Sequence, residues 1–194
     1  MVPLAGGALQ ALSASTLETI WYVDGIDGAQ SLNSLTIADG YVYVPITENA
    51  SGDGSSAGTI RRVNLYTGAV SGTASTSGGG FYWAGGFATD DYYVVGSTGG
   101  EVLVYTSDLS QLVSSVQLSG EIRTALVKAG GYLYAVSNDG VLHKLTLGED
   151  GAIAEVASVQ FSSASTSTPT IVDGKAFIGG YTGISVVDVE TMQV

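Results

Sequence analysis

The stretch Thr170-Ile-Val-Asp-Gly-Lys-Ala-Phe-Ile-Gly-Gly-Tyr-Thr-Gly-Ile-Ser-Val-Val-Asp-Val-Glu-Thr191 decides the fold. It reads as a short apolar strand, a tight turn at Asp173-Gly174, a second strand, a glycine-rich turn and a third strand. Asp-Gly between two alternating apolar runs marks a hairpin, because both central residues of a type I′ turn need φ > 0. The same frame recurs at Ile37-Ala-Asp-Gly-Tyr-Val-Tyr-Val44, Ala88-Thr-Asp-Asp-Tyr-Tyr-Val-Val95 and Val127-Lys-Ala-Gly-Gly-Tyr-Leu-Tyr134. A second series of turn glycines stands at Gly58, Gly100, Gly140 and Gly183. The spacing is about 40–45 residues once an insertion at 48–57 is set aside, the period of β-propeller blades with four short strands each.

Composition agrees with a packed all-β domain. The chain has 194 residues with 28 Gly, 45% hydrophobic and only 12% charged, which rules out a disordered polymer. There is no Cys, hence no disulfide framework and no thiolate metal site. A net charge of −12 repels phosphate backbones and anionic lipid, so neither nucleic-acid nor membrane-surface binding is expected. No apolar run approaches the about 18–20 residues of a membrane span, so no membrane insertion is expected either. High Gly, Ser, Thr and Tyr with little Lys fits an extracytoplasmic bacterial protein. The first ten residues lack a basic, uninterrupted apolar leader, so no signal peptide is read in this sequence.

A family resemblance rests on three places. Ala11-Leu-Ser-Ala-Ser-Thr-Leu-Glu-Thr-Ile-Trp21 resembles the Ala-x-Asp-x-x-Thr-Gly-Lys-x-x-Trp motif of the PQQ-like (pyrroloquinoline-quinone-type) repeat propellers, with Ala11, Thr16 and Trp21 matching. Val63-Asn-Leu-Tyr-Thr-Gly-Ala-Val70 keeps Asn64 and Thr67-Gly68 but has Gly72 where the Trp would stand. Val186-Val-Asp-Val-Glu-Thr191 keeps Asp188 and Thr191, while Thr106 and Thr146 take the Asp position in the middle copies. The resemblance implies that the Thr-Gly turn joins the third and fourth strands and that the Trp packs between neighbouring blades.

These readings predict an all-β propeller arc of about four blades, each a four-stranded antiparallel sheet, from a seven- or eight-bladed parent. One domain spans 1–194, with repeats at 24–75, 76–119, 120–162 and 163–194. Residues 8–23 form the outer strands of a preceding or closing blade. An open arc has apolar end blades, which are expected to seek a partner, self-association included.

Candidate site residues are few. Ser77-Gly-Gly-Gly-Phe-Tyr-Trp-Ala-Gly-Gly-Phe87 sets three consecutive aromatics between glycines. Read as a strand, it puts Phe81 and Trp83 on one face and Tyr82 on the other. Arg123 lies in the innermost strand of the next repeat, in a chain with six basic residues. Tyr82, Trp83 and Arg123 are therefore expected to share the channel mouth, unless Arg123 is neutralised by Glu121 and the aromatics only fill a blade interface. His143, the only His, reads as a half-exposed strand residue with no Ser-His-acid spacing around it. Within the insertion, Glu48, Asn49 and Asp53 lack the spacing of a calcium loop, and the segment reads as a surface loop. Asn49-Ala-Ser51 is a glycosylation triplet of the kind that arises by chance.

No catalytic residue, metal or cofactor is assigned. The function expected is a non-catalytic binding or scaffold propeller with a protein or carbohydrate partner. The alternatives are a fragment of a quinoprotein dehydrogenase and a propeller glycoside hydrolase or lyase. The last needs two facing carboxylates.

Overall fold

The structure is a computed structural model that describes residues 1–48 and 57–194. The surface-loop and glycosylation readings at 49–56 lie outside the described residues. Among the described residues eighteen strands form five antiparallel sheets, and the only helical segment there is one 3-10 turn over Ala5–Gly7. Sheet one holds β1 (Val2–Pro3), β2 (Leu9–Leu12) and β3 (Thr19–Val23). Sheet two holds β4 (Thr36–Ala38), β5 (Tyr41–Thr47), β6 (Gly58–Asn64) and β7 (Val70–Thr76). Sheet three holds β8 (Phe87–Ala88), β9 (Tyr92–Gly96), β10 (Glu101–Thr106) and β11 (Leu112–Gln117). Sheet four holds β12 (Val127–Ala129), β13 (Tyr132–Val136), β14 (Val141–Leu147) and β15 (Ile153–Gln160). Sheet five holds β16 (Thr170–Val172), β17 (Lys175–Gly179) and β18 (Ile184–Asp188). Strands pair in chain order within every sheet, the meander of a propeller blade.

Local sequence explains the repetition. Asp39-Gly40, Gly130-Gly131 and Asp173-Gly174 all have positive φ at both residues, as a type I′ hairpin requires. Asp90-Asp91 does not. There Thr89 holds the turn instead, with its Oγ1 accepting from Tyr92 N–H at 2.9 Å. Between the last two strands of sheets one to four, the register slips by one residue just after the pairs Ala11–Trp21, Arg62–Gly72, Val104–Ser114 and Lys144–Ala157. Trp21, Gly72, Ser114 and Ala157 thus occupy one repeated place beside a β-bulge, which sharpens strand twist there.

Five sheets form: four from β4 onward, and sheet one, in which β1 joins the 8–23 strand pair. Two departures from the sequence reading are informative. Gly58 is not a turn residue. It opens β6, where an added Cβ would meet the Phe81 ring at 2.5 Å. The innermost strands are shorter than expected, so residues 81–86 run as a bent segment ahead of β8.

The apolar cores lie between sheets. One joins Leu9 and half-buried Trp21 to Val42 and Val63, sheets one and two. The next joins Tyr43 and Ile60 to Phe81, Tyr93 and Leu103, sheets two and three. Two more join sheet three to four through Val94, Val104 and Leu145, and sheet four to five through Tyr134, Leu142 and Ile178. Tyr43 and Tyr93 stack with ring centroids 4.3 Å apart and planes within 5°. Tyr43 donates its hydroxyl to Ser107 O at 2.7 Å, whereas the buried Tyr93 hydroxyl makes no hydrogen bond. An unpartnered buried hydroxyl costs desolvation and returns nothing. Tyr93→Phe should therefore leave the melting temperature unchanged or raise it, while Tyr43→Phe should cost about 1 kcal/mol. Thermal unfolding of the two variants side by side checks this.

The turns between third and fourth strands are closed by short acceptors. Asn64 Oδ1 accepts from Tyr66 and Thr67 N–H, both at 3.0 Å. Asp188 Oδ1 accepts from Glu190 N–H at 3.0 Å and Thr191 N–H at 2.8 Å. Asp108 Oδ1 accepts from the Thr106 hydroxyl at 2.6 Å, the Ser110 N–H at 2.9 Å and the Ser110 hydroxyl at 2.7 Å. These bonds hold the Asp108 carboxyl down to about 2. A carboxyl lowered on folding stabilises the fold above its unfolded value, and that contribution fades as pH falls through the folded value. Its share should thus disappear between about pH 4 and pH 2. In a carboxyl NMR titration Asp108 should titrate near the lower value, and Thr106→Ala should move it upward. An ordinary Asp108 midpoint in the unaltered chain contradicts the assignment.

Candidate functional site

The aromatic segment is not a strand at its aromatics. Phe81 is fully buried in the core between sheets two and three and pins the segment. Trp83 has φ 60° and is 44% exposed, with Tyr82 half-buried beside it. The left-handed turn at Trp83 breaks the alternation, so Phe81 and Trp83 do not share a face as expected. Close packing of the following backbone explains the glycines. A Cβ on Gly85 would meet Ala125 Cβ at 2.7 Å, and one on Gly86 would meet the Tyr93 hydroxyl at 2.3 Å.

Residues 81–86 and 122–126 run side by side, joined by Leu126 N–H donating to Gly85 O at 3.1 Å. Thr98 N–H donates to Gly80 O, and Asn138 N–H donates in the same way to Glu121 O in the next blade. Tyr82 and Arg123, two residues beyond those acceptors, thus hold equivalent positions in neighbouring blades. The Arg123 guanidinium carbon sits 5.5 Å from the Tyr82 ring centroid, and the Tyr82 and Trp83 centroids are 4.6 Å apart at 47°. Arg123 Nε donates to Glu121 Oε2 at 2.6 Å, and both side chains are about one-third exposed. Its other N–H groups bond no described residue. The geometry is a small ledge: two tilted rings, one guanidinium edge turned to an acid, and its other edge free.

The remaining cations are engaged elsewhere. Arg62 stacks on Tyr41 at 3.2 Å, Lys128 lies 5.3 Å from the Phe87 ring, and Lys144 donates to Val189 O at 2.8 Å. Lys175 pairs with Asp188 at 2.6 Å, and Arg61 donates to Asp24 O at 2.5 Å.

His143 corrects the sequence reading. It is buried, not half-exposed, because its face of β14 packs against sheet three. Nδ1 donates to Glu155 Oε1 at 2.8 Å, and Nε2 lies 2.8 Å from Ser137 Oγ and 3.4 Å from the exposed Ser119 Oγ. The Ser137 hydroxyl in turn donates to Asp139 Oδ1. Burial works against the Asp139 carboxylate, but hydrogen bonds from Ser137 and Ser119 outweigh it and hold its pKa below the ordinary range. Serine, imidazole and acid in this order resemble a nucleophile with its base. Ser137 is fully buried, however, so it presents no nucleophile to a substrate. The four side chains belong to sheet four and the turn before β14, with Ser119 reaching in from the preceding blade. Ser137 and Asp139 stand six and four residues before His143, and Glu155 stands twelve after it on β15.

A cleft of about 290 Å³ is lined by Ser119, His143 and Glu155 among others, and two larger ones lie elsewhere. One of about 470 Å³ lies between sheets three and four, lined by Phe87, Asp91, Tyr92, Lys128 and Glu149 among others. Another of about 430 Å³ lies between sheets four and five, lined by Asn138, Ser165, Ser167 and Tyr181 among others. Among the described residues no three His, Cys, Asp or Glu side chains converge as metal ligands.

No model of a protein family matches the sequence, and neither does any curated protein. Solved structures do match. BamB from Moraxella catarrhalis superposes with a TM-score of 0.71 and 21% identity, over 97% of this chain and 54% of that one. The fold is that of a β-propeller. The computationally designed Ika8 protein gives a TM-score of 0.67 at 17% identity, over 91% of this chain and 51% of that one. The designed Ika4 protein gives 0.57 at 20% identity, over 82% of this chain and 98% of that one. The chain thus spans about half the length of the first two matched chains. At these identities the likeness speaks for the fold alone. Among the described residues no helix is long and apolar enough to cross a membrane.

Proposed function

We propose that the chain is a non-catalytic binding scaffold of an extracytoplasmic bacterial protein. In this reading it engages a protein or carbohydrate partner at the ledge of Tyr82, Trp83 and Arg123. The observation that carries the reading is the free edge of the Arg123 guanidinium beside the exposed Trp83 ring. A planar ring stacks on Trp83 or Tyr82, and a carboxylate on the same partner takes two parallel N–H bonds from the arginine. The partner is therefore expected to carry an acid next to a flat or apolar face: a uronic-acid sugar or an acidic peptide end. Likeness to a bacterial propeller supports the scaffold reading, and the Ser-, Thr- and Gly-rich, Lys-poor surface supports the location.

Calorimetric titration of uronic-acid oligosaccharides and acidic peptides tests it. One class should bind, and Arg123→Ala should weaken that binding about ten- to a hundredfold, the value of a charge-assisted pair. Equal binding by both proteins, or by neither, disposes of the site.

A further inference from the structure

The ledge does not end at Arg123. Residues 122–126 lie between two other segments. On one side Leu126 N–H donates to Gly85 O, and on the other Ala125 N–H donates to Thr168 Oγ1 at 3.0 Å. Asn138 makes a second link: its N–H donates to Glu121 O at 2.8 Å, and its C=O accepts from Ser165 N–H at 3.1 Å. Residues 165–168 are therefore the next neighbours of Arg123, on the side away from Tyr82. Ser165, Thr166 and Ser167 form one wall of the cleft of about 430 Å³ between sheets four and five, which Asn138 and Tyr181 also line. Register brings those last two to one place. Val136 pairs with Leu142 and Gly179 with Ile184, so Asn138 and Tyr181 each stand two residues past equivalent pairs in adjacent blades. Ledge and cleft thus adjoin.

The cleft has its own chemistry. None of the residues lining it is charged, in a chain of net charge −12. Its floor is held in place. Ser165 Oγ donates to Gly179 O at 2.6 Å, Ser167 Oγ accepts from Gly179 N–H at 3.2 Å, and Ser162 Oγ accepts from Tyr181 N–H at 2.9 Å. The Asn138 amide, the Thr166 hydroxyl and the Tyr181 hydroxyl, by contrast, bond no described residue. An amide offers donors and an acceptor, a hydroxyl offers both, and the exposed Tyr181 ring offers a flat apolar face. A neutral sugar ring carries the matching set, with hydroxyls around its rim and C–H groups on its faces. A peptide would look there for apolar side-chain pockets, and the one aliphatic residue in the lining is Ala164. We propose, resting on the ledge as a binding site, that ledge and cleft together hold an oligosaccharide of alternating acidic and neutral rings. The acidic ring lies on Tyr82, Trp83 and Arg123, and the neutral ring lies between Asn138, Thr166 and Tyr181.

Calorimetric titration of the full 194-residue chain with two tetrasaccharides tests it, one of alternating glucuronic acid and glucose, the other of glucuronic acid alone. The unaltered chain should bind the alternating one about tenfold more tightly, the value of one stacked ring with a hydrogen bond. A carboxylate placed in the cleft meets no cation there. Tyr181→Ala and, separately, Asn138→Ala should each remove most of that preference, while Arg123→Ala should weaken both saccharides alike. All three side chains are at least partly exposed, so the fold should survive, which far-UV circular dichroism checks. Equal binding of the two saccharides, a reversed preference, or a preference that survives either cleft substitution overturns the cleft and leaves the ledge standing. Binding of an acidic peptide and of neither saccharide does the same. Binding of no ligand at all disposes of cleft and ledge together.

Discussion

Trp21→Ala is expected to lower the unfolding free energy by about 3 kcal/mol, the lower end of the range for removing a large aromatic from a core. The indole lies across the gap between sheets one and two, with Nε1 donating to Leu65 O at 3.1 Å. Its ring rests on Gly68, whose φ is +74° and whose added Cβ would meet the ring at 2.9 Å. Glycine is thus required twice there, once by the left-handed turn and once by the indole. Removing the ring opens a void that the turn cannot fill, because Asn64 holds it closed. The indole is only part-buried, which keeps the loss from the upper end. Trp83→Ala is the matched control. That ring is exposed and off the core, so its loss should change stability by less than about 0.5 kcal/mol. Urea unfolding of both variants separates the two tryptophans. A larger loss at Trp83 than at Trp21 would reverse the assignment of packing and ledge.

His143→Leu is expected to cost a similar amount, about 3 kcal/mol, for a different reason. The imidazole is the middle of a chain from Glu155 through Ser137 to Asp139, and leucine can satisfy neither end. Breaking a buried pair by removing one partner is costly because the other partner stays desolvated. Here the cost is moderated, since about a third of the Glu155 side chain reaches solvent and can turn outward. Adding Glu155→Leu to His143→Leu should therefore recover part of the loss, because a paired apolar replacement leaves fewer groups unsatisfied. A double variant no more stable than His143→Leu would show that the carboxylate is not the group left in need.

The parts of the fold that were legible in the sequence are those whose chemistry is local. Asp39-Gly40 and Asp173-Gly174 announce their hairpins because few residue pairs tolerate two left-handed positions in succession. Their recurrence then fixed the blade period, and Trp21 was legible as an inter-blade residue through its motif. What stayed hidden depends on neighbours far along the chain. Gly58 looked like a turn glycine but is small to admit Phe81, a residue of the next blade. Trp83 was placed by strand alternation, which a single left-handed residue abolishes. His143 looked half-exposed because alternation gives its face but not what packs on that face. Its acceptor Glu155 lies beyond the β-bulge of β15, opposite Leu145, so strand pairing alone would not have matched the two. Arg123 and Tyr82 were expected together on one channel mouth, and equivalent backbone bonds in adjacent blades bring them within 5.5 Å.

The central claim is that the chain works by binding at the Tyr82–Trp83–Arg123 ledge. The chain carries two tryptophans, one bonded between sheets and one exposed at the ledge, so its indole N–H spectrum has a built-in reference. Titrating a uronic-acid oligosaccharide, and separately an acidic peptide, into nitrogen-15-labelled protein is the direct measurement. The account predicts that one of the two moves the Trp83 indole and the Arg123 Nε–H resonances together while the Trp21 indole stays still. Movement of neither resonance with either ligand, or equal movement of both indoles, would contradict it.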